Sequence, residues 1–242
     1  MRLSFWSRGS ALTAAATAAF LLAAAPGAHA IVIGPGDATS LAGTTSAARP
    51  ELAGTVLEDT SRAFSIDFGN GQIATGTIQD RVVRETLTGT LDFYYRIFND
   101  ASSAASINFI VRNLAANPYT FSTDVDFRTD GLGDIGPTAA SRSPLGYVGG
   151  DQIYFNFGTM IDPGETSLFF FMKTDATSYS ETAGAEIAGL TRDGVSQGVN
   201  FLTFEPIIPA EVPEPATIGL VGLGLTGLAA RRKRRASERP GR

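Results

Sequence analysis

Four aspartates, Asp124, Asp126, Asp130 and Asp134, crowd one stretch of the chain, with Gly131 and Gly133 between the last two. Clustered carboxylate oxygens on a flexible turn are what a hard cation such as calcium takes. Asp124 and Asp126 would share one strand face, and the loop from Asp130 to Asp134 could fold back toward them. Arg128 interrupts the spacing and no glutamate closes the set. The plainer reading is a solvated strand end followed by a turn, and calcium is the one cofactor the sequence suggests. A second constellation is aromatic. Tyr154 stands between Gln152 and Asn156, and Tyr94 between Asp92 and Arg96, each out of phase with an apolar stripe. A ring flanked by amides can hold a sugar, the ring supplying apolar area and the amides orientation. Against this stands the simpler role of tyrosines covering the outer side of a strand.

Two motifs fail on context. Asp59-Thr60-Ser61 has the residue types of an aspartic-protease core, but that chemistry needs two carboxylates sharing a proton and no second copy exists; a polar turn is expected instead. Gly222, Gly224 and Gly227 fit G-x-G-x-x-G, yet no acidic residue follows about twenty positions on, as a dinucleotide site requires. The exclusions are firmer. Cysteine is absent, and the single histidine is His29. Beyond residue 30 neither Ser-His nor Cys-His nucleophilic catalysis can be built, nor a typical zinc site. A pair of carboxylates could still hydrolyse a glycoside, though nothing singles one out among the acids.

Period-two alternation runs through the middle of the chain and predicts the strands that must position these residues. Phe64, Ile66 and Phe68 form one stripe, ended by the hairpin signal Gly69-Asn70-Gly71. Leu91, Phe93, Tyr95 and Ile97 form a second, and Ile107, Phe109 and Val111 a third. Tyr119, Phe121, Thr123, Val125 and Phe127 alternate with polar residues, and Ile153, Phe155 and Phe157 make another stripe. Asp162-Pro163-Gly164-Glu165 orders Pro and Gly as a type II turn requires. The run from Leu168 to Met172 is apolar on both faces, the mark of a central strand covered on both sides. Val199, Phe201 and Thr203 belong to a last strand. Residues 181–190 contain Ala and Glu, but Gly184 and Gly189 weaken a helix there. The fold expected is all-β, a single antiparallel β-sandwich or jelly-roll-like domain over residues 51–205. Residues 31–50 are expected as a linker or edge strand, and Pro206 is expected to open a proline-rich linker over 206–212.

The two ends are directed at a membrane. Residues 1–30 carry Arg2 and Arg8, an apolar run over 11–25 and the triplet Ala28-His29-Ala30, the three parts of a signal peptide cleaved after Ala30. Near the other end, Val212-Pro213-Glu214-Pro215 precedes fifteen uncharged residues, 216–230, and then Arg231-Arg232-Lys233-Arg234-Arg235. Fifteen residues of helix reach roughly 22 Å, short of the roughly 30 Å hydrocarbon core. The segment is therefore a short, weak transmembrane helix, its basic cluster held in the cytoplasm with the tail 236–242. Removing the ends exposes an acidic cargo: residues 31–215 hold ten Lys and Arg against twenty-three Asp and Glu, a net −13. Such a domain repels phosphate backbones, which excludes nucleic acid as a partner.

Val-Pro-Glu-Pro, a Gly/Leu-rich segment and a basic cluster in that order resemble the PEP-CTERM sorting signal of exported Gram-negative bacterial proteins, over about residues 212–235. The resemblance implies export by the Sec machinery, signal peptidase cleavage, a transient inner-membrane stage and processing by an exosortase, with a destination in the cell envelope or outside the cell. It also implies a link to exopolysaccharide and biofilm. The turn at Asp162-Pro163-Gly164-Glu165, the aromatic strand after it and residues 173–179 resemble the all-β domains often attached to this signal. The function expected is a structural or adhesive matrix protein and not an enzyme. A carbohydrate- or calcium-binding surface module is the alternative, and a carboxylate-based hydrolase the second.

Overall fold

In the computed structural model the described residues are 30–113, 121–145 and 150–208. They form eleven strands: β1 (Ala38–Ser40), β2 (Gly54–Asp67), β3 (Ile73–Glu85), β4 (Leu91–Asn99), β5 (Ala105–Asn113), β6 (Thr123–Phe127), β7 (Ala139–Arg142), β8 (Gln152–Ile161), β9 (Phe170–Thr174), β10 (Ser178–Thr191) and β11 (Ser196–Ile207). One sheet has the order β1-β7-β8-β5-β10-β11 and the other β2-β3-β4-β9-β6. Every pairing between these strands is antiparallel. The two sheets pack face to face as a β-sandwich. Phe170 of β9 meets Phe155 and Phe157 of β8 across the interior, with ring centroids 4.9 and 5.6 Å apart.

The stripes fall largely where the alternation predicts. Phe64, Ile66, Phe68, Leu91, Phe93, Tyr95, Ile97, Ile153, Phe155 and Phe157 all lie in the core. The β2–β3 turn places Gly69, Asn70 and Gly71 in the left-handed region, with φ of 82°, 53° and 77°. Asn is among the few side chains that tolerate this conformation. At the second turn the Glu165 amide donates to the Asp162 carbonyl at 2.9 Å, and Gly164 has φ 89°. β9 is buried on both faces: Phe170 and Met172 join the main core, while Phe171 joins a second apolar cluster with Leu52, Val83 and Tyr94.

Three expectations change. In β5 the main core takes Ala105, Ile107 and Ile110, while Phe109 and Val111 lie outside it, Val111 being buried on the other face. Between Ile107 and Phe109 the pairing with β10 skips one residue of β5, a bulge that reverses the facing of the rest of the strand. Asp59-Thr60-Ser61 is not a turn but the middle of β2, paired with β3. Pro206 lies inside β11, opposite Tyr179. β11 is the outermost strand of its sheet, where a missing N–H costs no ladder bond on the open side. Within residues 31–50, β1 pairs with β7 at the edge of its sheet, and Ile33 and Leu41 enter the main core.

The interior also holds a polar clasp. Arg112 of β5 is fully buried, its guanidinium carbon 4.3 Å from the centre of the Tyr95 ring. It donates to Thr203 Oγ1 and to the Phe204 carbonyl, while Thr203 Oγ1 donates to Asp80 Oδ2 at 2.7 Å. Buried charge of this kind persists only where it is paired and hydrogen-bonded.

The expected signal peptide (with Ala28), the sorting motif Val212, Pro213, Glu214, Pro215 and the cluster Arg231 to Arg235 lie outside the described residues, as does Tyr119. Among the described residues no helix is long and apolar enough to cross a membrane.

Candidate ligand-binding face

Antiparallel register fixes which side chains share the outer face of the five-stranded sheet. Tyr94 of β4 pairs with Arg81 of β3 on one side and Phe171 of β9 on the other. One step along, Arg96 pairs with Gln79; in the opposite direction, Asp92 pairs with Val83 and Lys173. Half of this face is covered by the segment of residues 43–53, which crosses it as a strap. The Arg49 guanidinium donates to both oxygens of Asp124, at 3.3 and 2.5 Å, and to Glu51 at 2.8 Å, while its carbon lies 5.6 Å from the Phe171 ring centre. Burial works against the charge on Arg49, but the hydrogen bonds to Asp124 and Glu51 outweigh it and raise its pKa.

The other half of the face is open. Tyr94, Phe169, Arg81, Arg128 and Leu132 line a pocket of about 300 Å³. Phe169 is its floor: the Arg81 and Arg96 guanidinium carbons each sit 4.8 Å from its ring centre, and Arg96 is also 4.5 Å from Phe98. Arg81 pairs with Asp59 and Arg128 with Asp130, both at 2.8 Å. Arg96 forms no ion pair among the described residues; its Nη1 reaches the Leu132 carbonyl at 3.5 Å. Burial, then the charge of Arg81, hold the Arg96 pKa below its ordinary value. Stacking between two rings fixes the plane of the Arg96 guanidinium, whose Nε is buried without a hydrogen-bond partner among the described residues.

The candidates named from sequence do not meet in one place. Tyr94 is buried against Phe169 and Phe171 on this sheet, beside Arg128, and burial first raises its pKa. Gln152, Tyr154 and Asn156 lie on β8 in the other sheet. Tyr154 points away from the core there, its hydroxyl donating to Gln152 Oε1 at 2.6 Å, and Gln152 Nε2 donates to Asn113 at 2.6 Å. Tyr94 and Tyr154 thus occupy opposite outer faces of the sandwich and cannot share a ligand.

Nor do the four aspartates converge. Asp124 and Asp126 are buried rather than solvated. Asp124 is taken by Arg49 and by the Ile31 amide at 2.8 Å, and Asp126 Oδ1 accepts the Gly43 and Phe127 amides at 3.0 and 2.9 Å. Asp130 accepts from Ser46 and Arg128, whose hydrogen bond sets its pKa below the usual range. Asp134 accepts the Thr166 amide at 3.2 Å. Among the described residues no group of three or more His, Cys, Asp or Glu is arranged to hold a metal ion. The carboxylates sit where donors of the strap and neighbouring loops need acceptors.

β11 stops at Ile207, and residues 211–235 match the model of the PEP-CTERM protein-sorting motif. The chain carries a PEP-CTERM sorting signal. That signal marks an exported protein handled by an exosortase at the membrane. No curated protein matches the chain. What the PEP-CTERM protein displays is therefore read from its own surface, and sequence reasoning had missed the Arg81, Arg96 and Phe169 cluster. Phe169 and Arg96 are 73 positions apart, and only the β4–β9 register brings them together. A second grouping was also missed. Glu85 and Asp92, both buried, meet Lys173 at the covered end of the same face.

Proposed function

We propose that this protein is a structural or adhesive component of the cell envelope or extracellular matrix, linked to exopolysaccharide, and that it performs no catalysis. Sec export and signal peptidase cleavage would deliver it, and the exosortase would process it at the inner membrane. The observation that carries this reading is the sorting motif at residues 211–235 directly after the last strand of a sandwich. Mass spectrometry of the mature C-terminus tests it. Loss of the basic cluster from envelope or secreted fractions is expected, and an intact Arg242 there would count against the sorting step.

A second reading, as a carbohydrate-binding module, is favoured by the open half of the face. Two guanidiniums held in place over Phe169 suit a sugar that carries a carboxylate, the arginines taking the acid. The domain is acidic as a whole, so this local positive site would select acidic polymers by contact rather than by long-range attraction. Retention of the full chain on an immobilised polyuronate, with no retention on a neutral glucan, is the expected result. Equal behaviour on both columns would remove this reading.

A further inference from the structure

Residues 31–215 contain nine arginines and a single lysine, Lys173. The difference matters chemically, because a guanidinium stays protonated in proteins whereas a lysine can give up its proton and act as a nucleophile. That lysine is in contact with a buried acid. Lys173 Nζ pairs with Glu85 Oε1, and the Glu85 side chain is inaccessible to solvent. The other oxygen, Oε2, accepts the hydroxyls of Thr88 and Thr90, the latter at 3.2 Å. Asp92, the cross-strand neighbour of Lys173, is fully buried beside Glu85, and among the described residues neither of its oxygens has a hydrogen-bond partner. Burial first, and then the charge of Glu85, push its carboxyl up to about 9, so it is a neutral acid at ordinary pH. A lone lysine, a fixed carboxyl and an adjacent protonated acid are the parts of a self-acylation reaction.

We propose that Lys173 and Glu85 condense into an intramolecular isopeptide bond, with Asp92 as the acid that moves the protons. The ammonium of Lys173 first passes a proton to the Glu85 carboxylate, giving a neutral amine and a neutral acid. The Nζ lone pair then attacks Cδ of Glu85 and forms the C–N bond. One Asp92 oxygen takes the surplus proton from nitrogen while its carboxyl proton goes to the departing hydroxyl. The C–O bond breaks and water leaves. Ammonium plus carboxylate becomes amide plus water; nothing is oxidised or reduced, and Asp92 ends as it began. Contact within a fixed fold supplies the effective concentration that the reaction needs. The bond ties β3 to β9 across β4 and closes a loop between positions 88 apart in the chain. In a cysteine-free exported protein it takes the place of a disulfide.

Peptide mapping of the folded, full-length protein decides the matter. Trypsin is expected to leave Lys173 uncut and to release its peptide joined to residues 85–96, the pair lighter than their sum by the mass of a water. Fragment ions should put the branch on Glu85 rather than on Asp92. Lys173→Arg and Asp92→Asn should each give unlinked peptides, and Glu85→Gln should link with loss of ammonia instead. Circular dichroism confirms that each variant is folded. Lys173→Arg is expected to lower Tm by on the order of 10 °C, the effect of losing a long-loop cross-link. Free peptides from the wild type, or a branch on Asp92, would overturn the proposal. A folded Asp92→Asn protein that still links would remove Asp92 from the chemistry.

Discussion

The backbone nitrogen of Ile31 donates to Oδ1 of Asp124 at 2.8 Å, beside the guanidinium of Arg49. Ile31 also offers its carbonyl to the Val125 amide at 3.0 Å, and Val32 bridges to Asp124, so the start of the described fold is laid along β6. The residue expected to become the mature N-terminus therefore has its nitrogen on a buried carboxylate.

Cleavage after Ala30 would turn that amide into an ammonium and the hydrogen bond into a charge-assisted pair. A chain beginning at Ile31 is expected to be more stable than one beginning at Ala30 by about 1–3 kcal/mol. Urea denaturation of the two forms measures the difference, and equal midpoints would show that the new charge gains nothing at Asp124.

Asp92 predicts a pH dependence. Its folded pKa of about 9 lies above the roughly 3.9 of an unfolded aspartate. The folded state thus keeps the proton longer, and stability is greatest below the lower value. It declines as pH rises through the window up to about 9 and is flat beyond it. In a Lys173→Arg background, which retains the charge but cannot form the amide, adding Asp92→Asn should flatten this slope. Denaturant midpoints from pH 5 to pH 9 would show it, and parallel curves for the two proteins would refute it.

Gly76 sits in β3 where a Cβ would come within 2.1 Å of the Phe98 carbonyl and 2.6 Å of the Phe64 ring. Backbone on one side and a core ring on the other leave no room to give. Gly76→Ala is expected to cost about 3 kcal/mol. Gly69→Ala, where none of the described residues comes within 4 Å, should cost less and act through its φ of 82° alone. Thermal melts of the pair separate crowding from conformational strain.

On the open face, Arg96→Ala is expected to weaken polyuronate binding about 10-fold or more, in line with a lost charge-assisted contact. Phe169→Ala should weaken it similarly by removing the stacking floor, while Tyr154→Ala, on the opposite face of the sandwich, should leave it unchanged. Affinity electrophoresis in polyuronate gels compares all three, and a Tyr154 effect equal to that of Arg96 would move the site to the other sheet.

The alternation of Phe64, Ile66 and Phe68, and of Leu91 through Ile97, was enough to read strands, facing and fold class, because burial on one side of a strand imposes a local period. The β5 bulge broke that logic, since an inserted residue leaves no mark in the pattern of Ile107, Phe109 and Val111. Asp124 and Asp126 misled for a different reason. They do stand on one face, as the spacing implies, but a strap from about 80 positions earlier covers it and supplies Arg49 and the Gly43 amide. The pairing of Arg96 with Phe169, and of Glu85 with Lys173, depends on strand order, which no local window contains. The sorting motif needed no fold at all, because its parts are read in sequence order.

The end of β11 sets a distance. Only residues 208–210 separate Ile207 from the motif at 211–235, a leash of roughly 10 Å even when fully extended. The apolar run begins five residues further on, at Ala216, so eight residues, roughly 28 Å at full extension, lie between the last strand and the membrane-directed part of the signal. The turn at Asp193 and Gly194 lies at the other end of β10 and β11 from that leash. The sorting enzyme therefore meets its motif within a short reach of the folded sandwich, at the end that holds Ile207 and its partner Ser178.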